Sequence, residues 1–198
     1  IIQFNNFILK CESNFLNDFD QCQMISITII RIFEFDTSNT LIKHKLSFLV
    51  DWTCKQNIAN DIFAESLMFD YLSSIIFSKS TDSVFIYRSL AILALFNIMN
   101  DSNEMCKVFI ESQFIKQTID IFEHTTDVDD DILPGLMKLM SIVTDRIVQF
   151  NEIIDYRLIV DFIDKSLFRL TDFRVQNSQK HDFYVFIDFI GLSKDNLY

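Results

Sequence analysis

Glycine and proline are nearly missing from this chain: two glycines (Gly135, Gly191) and one proline (Pro134) in 198 residues, where average usage would give roughly 14 and 10. An all-β fold turns its hairpins on Gly, and a phosphate-binding α/β fold needs a Gly-rich loop. Neither has the residues it requires, so helices are left by elimination. A Walker loop and a dinucleotide fingerprint are excluded on the same ground. Ser66 and Ser112 follow acids rather than sitting in a Gly-x-Ser-x-Gly elbow.

Positive charge is also scarce. Seventeen Lys and Arg stand against 28 Asp and Glu, a net charge of −11, which disfavours nucleic acid, whose binders carry a basic stripe. The same balance is compatible with basic peptide partners. Long apolar runs are absent: residues 90–99 are interrupted by Asn97 and fall short of the ~20 residues that span a bilayer. The opening IIQFNNFILK has neither a basic start nor a continuous apolar run, so it does not read as a signal peptide. The chain is expected to be soluble and, since it opens on Ile, a piece of something longer. Cys11, Cys22, Cys54 and Cys106 show no CxxC spacing, which points to isolated buried thiols in a reducing compartment, the cytosol or nucleus.

What is present is core material. The chain is 49% apolar, with 22 Phe and a mean hydropathy of +0.21, so disorder is not expected despite the charge. It also repeats itself. FAES at residues 63–66 recurs as FIES at 109–112, and a weaker IIDY follows at 153–156. After each comes a short helical pattern: LMFDYLSSII, QFIKQTIDIF and RLIVDFIDKS. CQMISITIIRIF at 22–33 sits one period earlier. A period of about 44 lies within the ~40–47 residues of the HEAT and armadillo classes. Such a unit buries its apolar face only by stacking on its neighbours. The expected fold is therefore all-α, a right-handed α-solenoid of about four repeats in one domain over 1–198, with units near 1–35, 36–80, 81–125, 126–170 and a partial 171–198.

Between these segments run helices that are apolar nearly all round, best seen in SVFIYRSLAILALFNIMN at 83–100. Ile86, Leu90, Leu93 and Asn97 form one stripe, and Ile92, Leu95, Phe96 and Met99 cover the opposite side. A helix without a wide polar face is buried on two sides, as an inner helix would be. Its counterparts are 41–54, 132–144 and 183–190. Asn39 or Thr40, Ser83 and Asp182 are candidate N-caps. Asp129–131 favours the N-terminal end of the third inner helix, Pro134 suits its first turn, and Gly191 would close the last.

Residues 90–122, LAILALFNIMNDSNEMCKVFIESQFIKQTIDIF, resemble the armadillo repeat, with an inner helix ending in Leu-x-Asn-Ile followed by the short first helix and the second. Within that family the chain looks weakly like the importin-α type, whose inner helices carry Trp and Asn four apart. The resemblance implies a groove where an Asn amide holds an extended peptide's backbone while an indole walls a slot for a lysine stem. Carried over, it implies a partner-binding groove of Ser47 and Asp51, Leu93 and Asn97, Met137 and Ser141, and Tyr184 and Asp188. Only Asn97 keeps the family's residue, and the sole Trp, Trp52, falls one position late and is expected in the core. The Gly that the family places between its first two helices is replaced by Leu67, Gln113 and Arg157.

Other candidates lose to plainer readings. DVDDD at 127–131 spaces carboxylates as a calcium loop does, but such a loop needs Gly at 132 and Glu at 138, where the chain has Ile132 and Lys138. His44, His124 and His181 are far apart and form no metal-spaced pair. No cofactor and no catalysis are expected. The leading expectation is a protein–protein interaction module, possessing a groove for a partner segment. Its competitor is a structural scaffold subunit of a large cytoskeletal or ciliary assembly, with IIQFNNFIL as an apolar end face.

Overall fold

The computed structural model describes residues 19–35, 41–55, 60–79, 81–124, 132–146, 149–150 and 154–176. All regular structure among them is helical, with no strand. The helices are α1 (Phe19–Phe35), α2 (Ile42–Lys55), α3 (Met68–Ile76), α4 (Arg88–Asp101), α5 (Asn103–Glu111), α6 (Phe114–His124), α7 (Ile132–Asp145) and α8 (Tyr156–Gln176). One-turn 3-10 segments stand at Asn60–Phe63 and Phe85–Tyr87. None of the described helices is long and apolar enough to cross a membrane. Contacts divide the chain into two compact units, Ile1–Met105 and Cys106–Tyr198.

In the first unit α4 is the hub, packing on α2, on α3 and on both 3-10 turns. Its sequence explains this. Ala91, Ile92, Ala94, Leu95, Ile98 and Met99 are buried, which covers more than one face; two small residues let neighbouring helices approach. α1 is amphipathic in the ordinary way: Cys22, Ser26, Ile29, Ile30 and Phe33 are buried at helical spacing, and Met24, Ile27, Arg31 and Glu34 face outward. Ser26, a polar residue on the buried face, is there for a partner. Its Oγ accepts the indole N–H of Trp52 at 3.0 Å, tying α1 to α2. Trp52 is thus in the core, as its register requires. Lys45 is buried on α2 as well, with its ammonium 5.8 Å from the centre of the Phe33 ring, which in turn meets Tyr71 edge-on at 5.0 Å.

The start of α4 differs from the sequence expectation. Ser83 does not cap it; the helix begins at Arg88, behind the 3-10 turn at Phe85–Tyr87. The reason is local: the Arg88 guanidinium lies 3.5 Å from the centre of the Phe85 ring, and Tyr87 N–H donates to Val84 C=O at 2.9 Å, an i→i+3 bond that tightens the entry. Ile86 consequently lies on an exposed turn and not on a buried helical stripe.

In the second unit α6 packs on α8, and α7 buries Leu136, Met137, Leu139, Met140, Ile142 and Val143. Pro134 occupies the first turn of α7, where its missing N–H has no helical partner to lose. The Cys106 thiol is buried and accepts Nη1–H of Arg146 at 3.1 Å. Burial pushes that thiol's pKa up, against the lowering effect of the Arg146 charge and hydrogen bond. Cys22 and Cys106 are free and buried, whereas Cys54 is free but exposed, which corrects the expectation for that residue. Expectations for Cys11, Asn39, Thr40, Asp129–131, His181, Asp182, Gly191 and the 183–190 helix, and for IIQFNNFIL, lie outside the described residues.

Candidate partner-binding face

The turn ahead of each short helix is where sequence similarity becomes similar structure. Phe63 and Phe109 are both fully buried. Ser66 Oγ–H donates to Phe63 C=O at 2.8 Å and accepts Met68 N–H at 3.1 Å. Forty-six residues on, Ser112 Oγ–H donates to Phe109 C=O at 2.6 Å and accepts Phe114 N–H at 3.1 Å. Position by position, residues 60–70 and 106–116 share the same sequence of buried, half-buried and exposed sites. This turn does without the glycine that the armadillo resemblance implies. Leu67 holds φ −74 and ψ 10, and none of the described residues has a positive φ; a serine side chain closes the corner instead. Ahead of α8 the arrangement differs: Asp155 directly precedes the helix and its Oδ1 accepts the N–H of the second helical residue, Arg157, at 2.9 Å.

The expected groove residues fall into different situations. Asp51 and Leu93 are exposed, and Ser47 and Asn97 are half-buried, on α2 and α4 of the first unit. Asn97 is drawn to the turn of α2 that carries Asp51. Its Nδ2 donates to Val50 C=O at 3.4 Å and to Thr53 Oγ1 at 3.3 Å. Thr53, buried, hands its own hydroxyl proton to Leu49 C=O at 2.8 Å. The two acceptors lie only 3.2 Å apart, on one side of the amide, so one Asn97 N–H is shared between them and engaged between helices. A resemblance based on residue type cannot show this, because helix periodicity gives the face of Asn97 but not the helix that the face meets.

In the second unit Ser141 is half-buried and its hydroxyl donates to Lys138 C=O at 2.7 Å. Met137 is only 2% exposed, so it is core and not a groove residue. The correction follows from α7 being apolar on adjoining faces, which puts Met137 among buried neighbours on its own helix. Tyr184 and Asp188 lie outside the described residues.

Sequence reasoning missed the exposed apolar side chains. Met24 is 69% and Leu67 64% exposed, and Ile27, Ile86, Tyr156 and Val160 are also open to solvent. Ile30, Phe33, Glu34, Leu67, Met68 and Tyr71 line an apolar cleft between the end of α1 and the start of α3. A large apolar residue at helical spacing reads as core, and nothing in α1 alone says that Met24 points outward while Ile29 points inward. Among the described residues, no three His, Cys, Asp or Glu side chains are grouped so as to hold a metal ion.

The chain matches no family model, and comparison with curated proteins and with solved structures gives no significant match. What the fold defines is an all-helical protein.

Proposed function

We propose that this protein is a non-catalytic protein–protein interaction module, an α-solenoid of armadillo/HEAT-like repeats that holds a segment of a partner protein. The observation that carries the reading is the recurrence at 46 residues: one burial pattern and one serine-closed turn, built twice. Chains that repeat a two- or three-helix unit use their length as an extended binding surface. The acidic balance of the chain favours a basic segment, and the partner belongs to the same reducing, intracellular compartment as the thiols.

The engagement of Asn97 changes how such a segment would be held. An amide ladder needs donors to the peptide C=O groups, and Asn97 spends one of its two amide hydrogens between helices. Within the first unit, contact would rest on the exposed Leu93, the carboxylate of Asp51 and the hydroxyl of Ser47. A lysine-rich peptide labelled for fluorescence anisotropy is the direct test. Saturable binding at low salt that Asp51→Asn and Leu93→Ala both weaken supports the reading; no saturation removes it.

The second reading, a scaffold subunit of a large assembly, draws on the exposed Met24, Ile27 and Leu67. These apolar side chains lie on α1 and at the start of α3, not on α2 or α4. Sedimentation across a concentration series tests it: self-association or precipitation that Met24→Asp relieves favours assembly over peptide capture.

A further inference from the structure

We propose that the outward stripe of α1 is an interface between two copies of this chain, joined antiparallel about a twofold axis. Asp20, Met24, Ile27 and Arg31 are all exposed, and their spacing of four, three and four residues sets them in one line along the helix. The helix buries its other side in the first unit through Cys22, Ser26, Ile29, Ile30 and Phe33. Met24 is 69% and Ile27 36% exposed. Two adjoining apolar side chains thus stand open at the middle of the stripe, with one charge at each end.

The charges select the partner. A twofold interface is self-complementary: where one residue meets another, the second meets the first. An axis midway between Met24 and Ile27 sets Met24 of one copy against Ile27 of the other. The same axis sets Asp20 against Arg31, because both pairs share one midpoint in the sequence. Each dimer therefore has two apolar contacts flanked by two contacts of opposite charge. Turned parallel, the same stripe would bring Asp20 to Asp20 and Arg31 to Arg31, which repels at both ends. Alternating steps of four and three residues are also the seam of a left-handed coiled coil, the geometry in which two helices pack along such a line.

Such a dimer rests on the assembly reading and narrows it. An isologous contact closes at two copies, whereas a heterologous one can grow into an open array. One helix from each copy makes an interface at the small end, below about 1,200 Å², so the dimer is weak. The net charge of −11 does not forbid it, since at physiological salt a surface charge is screened over ~8 Å.

The test is sedimentation equilibrium of the full chain at physiological ionic strength over a wide concentration range. A monomer–dimer equilibrium that Met24→Asp abolishes is expected. Asp20→Lys and Arg31→Glu should each weaken the dimer on the order of tenfold, because twofold symmetry counts each reversed pair twice. All three substitutions fall at exposed positions, so the fold is kept. An equimolar mixture of the two charge variants should dimerise again, since each offers the charge that the other lacks. A chain that stays monomeric throughout overturns the dimer and the assembly reading together. Growth past two copies, a dimer that ignores the charge reversals, or a mixture that does not recover overturns the α1 pairing and leaves the assembly reading standing. None of these outcomes depends on peptide binding.

Discussion

Replacing Asn97 by alanine removes the two hydrogen bonds that join α4 to the last turns of α2. At 3.4 and 3.3 Å both are long and they share one amide hydrogen, so together they give about 1–1.5 kcal/mol. No further penalty adds to this. Thr53 keeps its bond to Leu49 C=O, and Val50 is only half-buried, so no fully buried group is stranded. For a chain of this size that loss lowers the melting temperature by roughly 2–8 °C. Trp52 is the single tryptophan, buried one residue from Thr53, so its fluorescence during urea unfolding reports on this part of the first unit. Asn97→Asp, which has no hydrogen to donate, should lose at least as much as the alanine variant. Combining Asn97→Ala with Thr53→Val should give less than the sum of the two, with a coupling of about 0.5 kcal/mol or more. If Asn97→Ala leaves the unfolding midpoint unchanged and yet abolishes binding of a basic peptide, the residue belongs to the groove and the interhelical reasoning is wrong.

Three other outcomes are expected. Ser26→Ala strands the buried indole N–H of Trp52 and should destabilise by about 1–3 kcal/mol; a shift in urea midpoint below ~0.5 kcal/mol would count against that bond. Ser66→Ala and Ser112→Ala remove the same pair of turn-closing bonds from matching turns, so each should lose about 0.5–2 kcal/mol, and a large inequality between them would mean that the turns are not equivalent. For Cys106 the sign is set by burial, which raises the thiol's pKa in the folded chain. Below the ordinary thiol pKa both states are protonated and its contribution is complete. As pH climbs above that value the unfolded chain ionises first, and stability falls until the folded pKa is passed. Urea midpoints between neutral and alkaline pH should show a decline that Cys106→Ala reduces; an unchanged slope contradicts it. In a thiol-reagent assay the exposed Cys54 should react well before Cys22 and Cys106.

Much of the helical layout was legible because its signals are local. The 41–54 and 132–144 patterns match α2 and α7 to within a residue or so, since apolar spacing and Pro134 mark them without help from the rest of the chain. The similarity of FAES and FIES also carried through, down to the same two serine bonds. What failed depends on neighbours. Ser83 has the right chemistry for a cap, but Phe85 and Arg88 stack and make a 3-10 turn ahead of the helix. Met137, Asn97 and Met24 are the same problem seen three times: a helical wheel orders faces but does not say which one another helix will cover.

The junction between α4 and α5 is a single residue, Ser102, fully buried, with Met105 N–H bonded to its Oγ and its own N–H bonded to Ile98 C=O. A connection this short has no slack in length. One residue inserted there would turn the following helix by about 100° and advance it by about 1.5 Å, swinging Phe109 from the core toward solvent. Substitution by Thr or Asp keeps an oxygen at the corner; insertion or deletion cannot be absorbed. The α4–α5 corner therefore tolerates a change of side chain far better than a change of length.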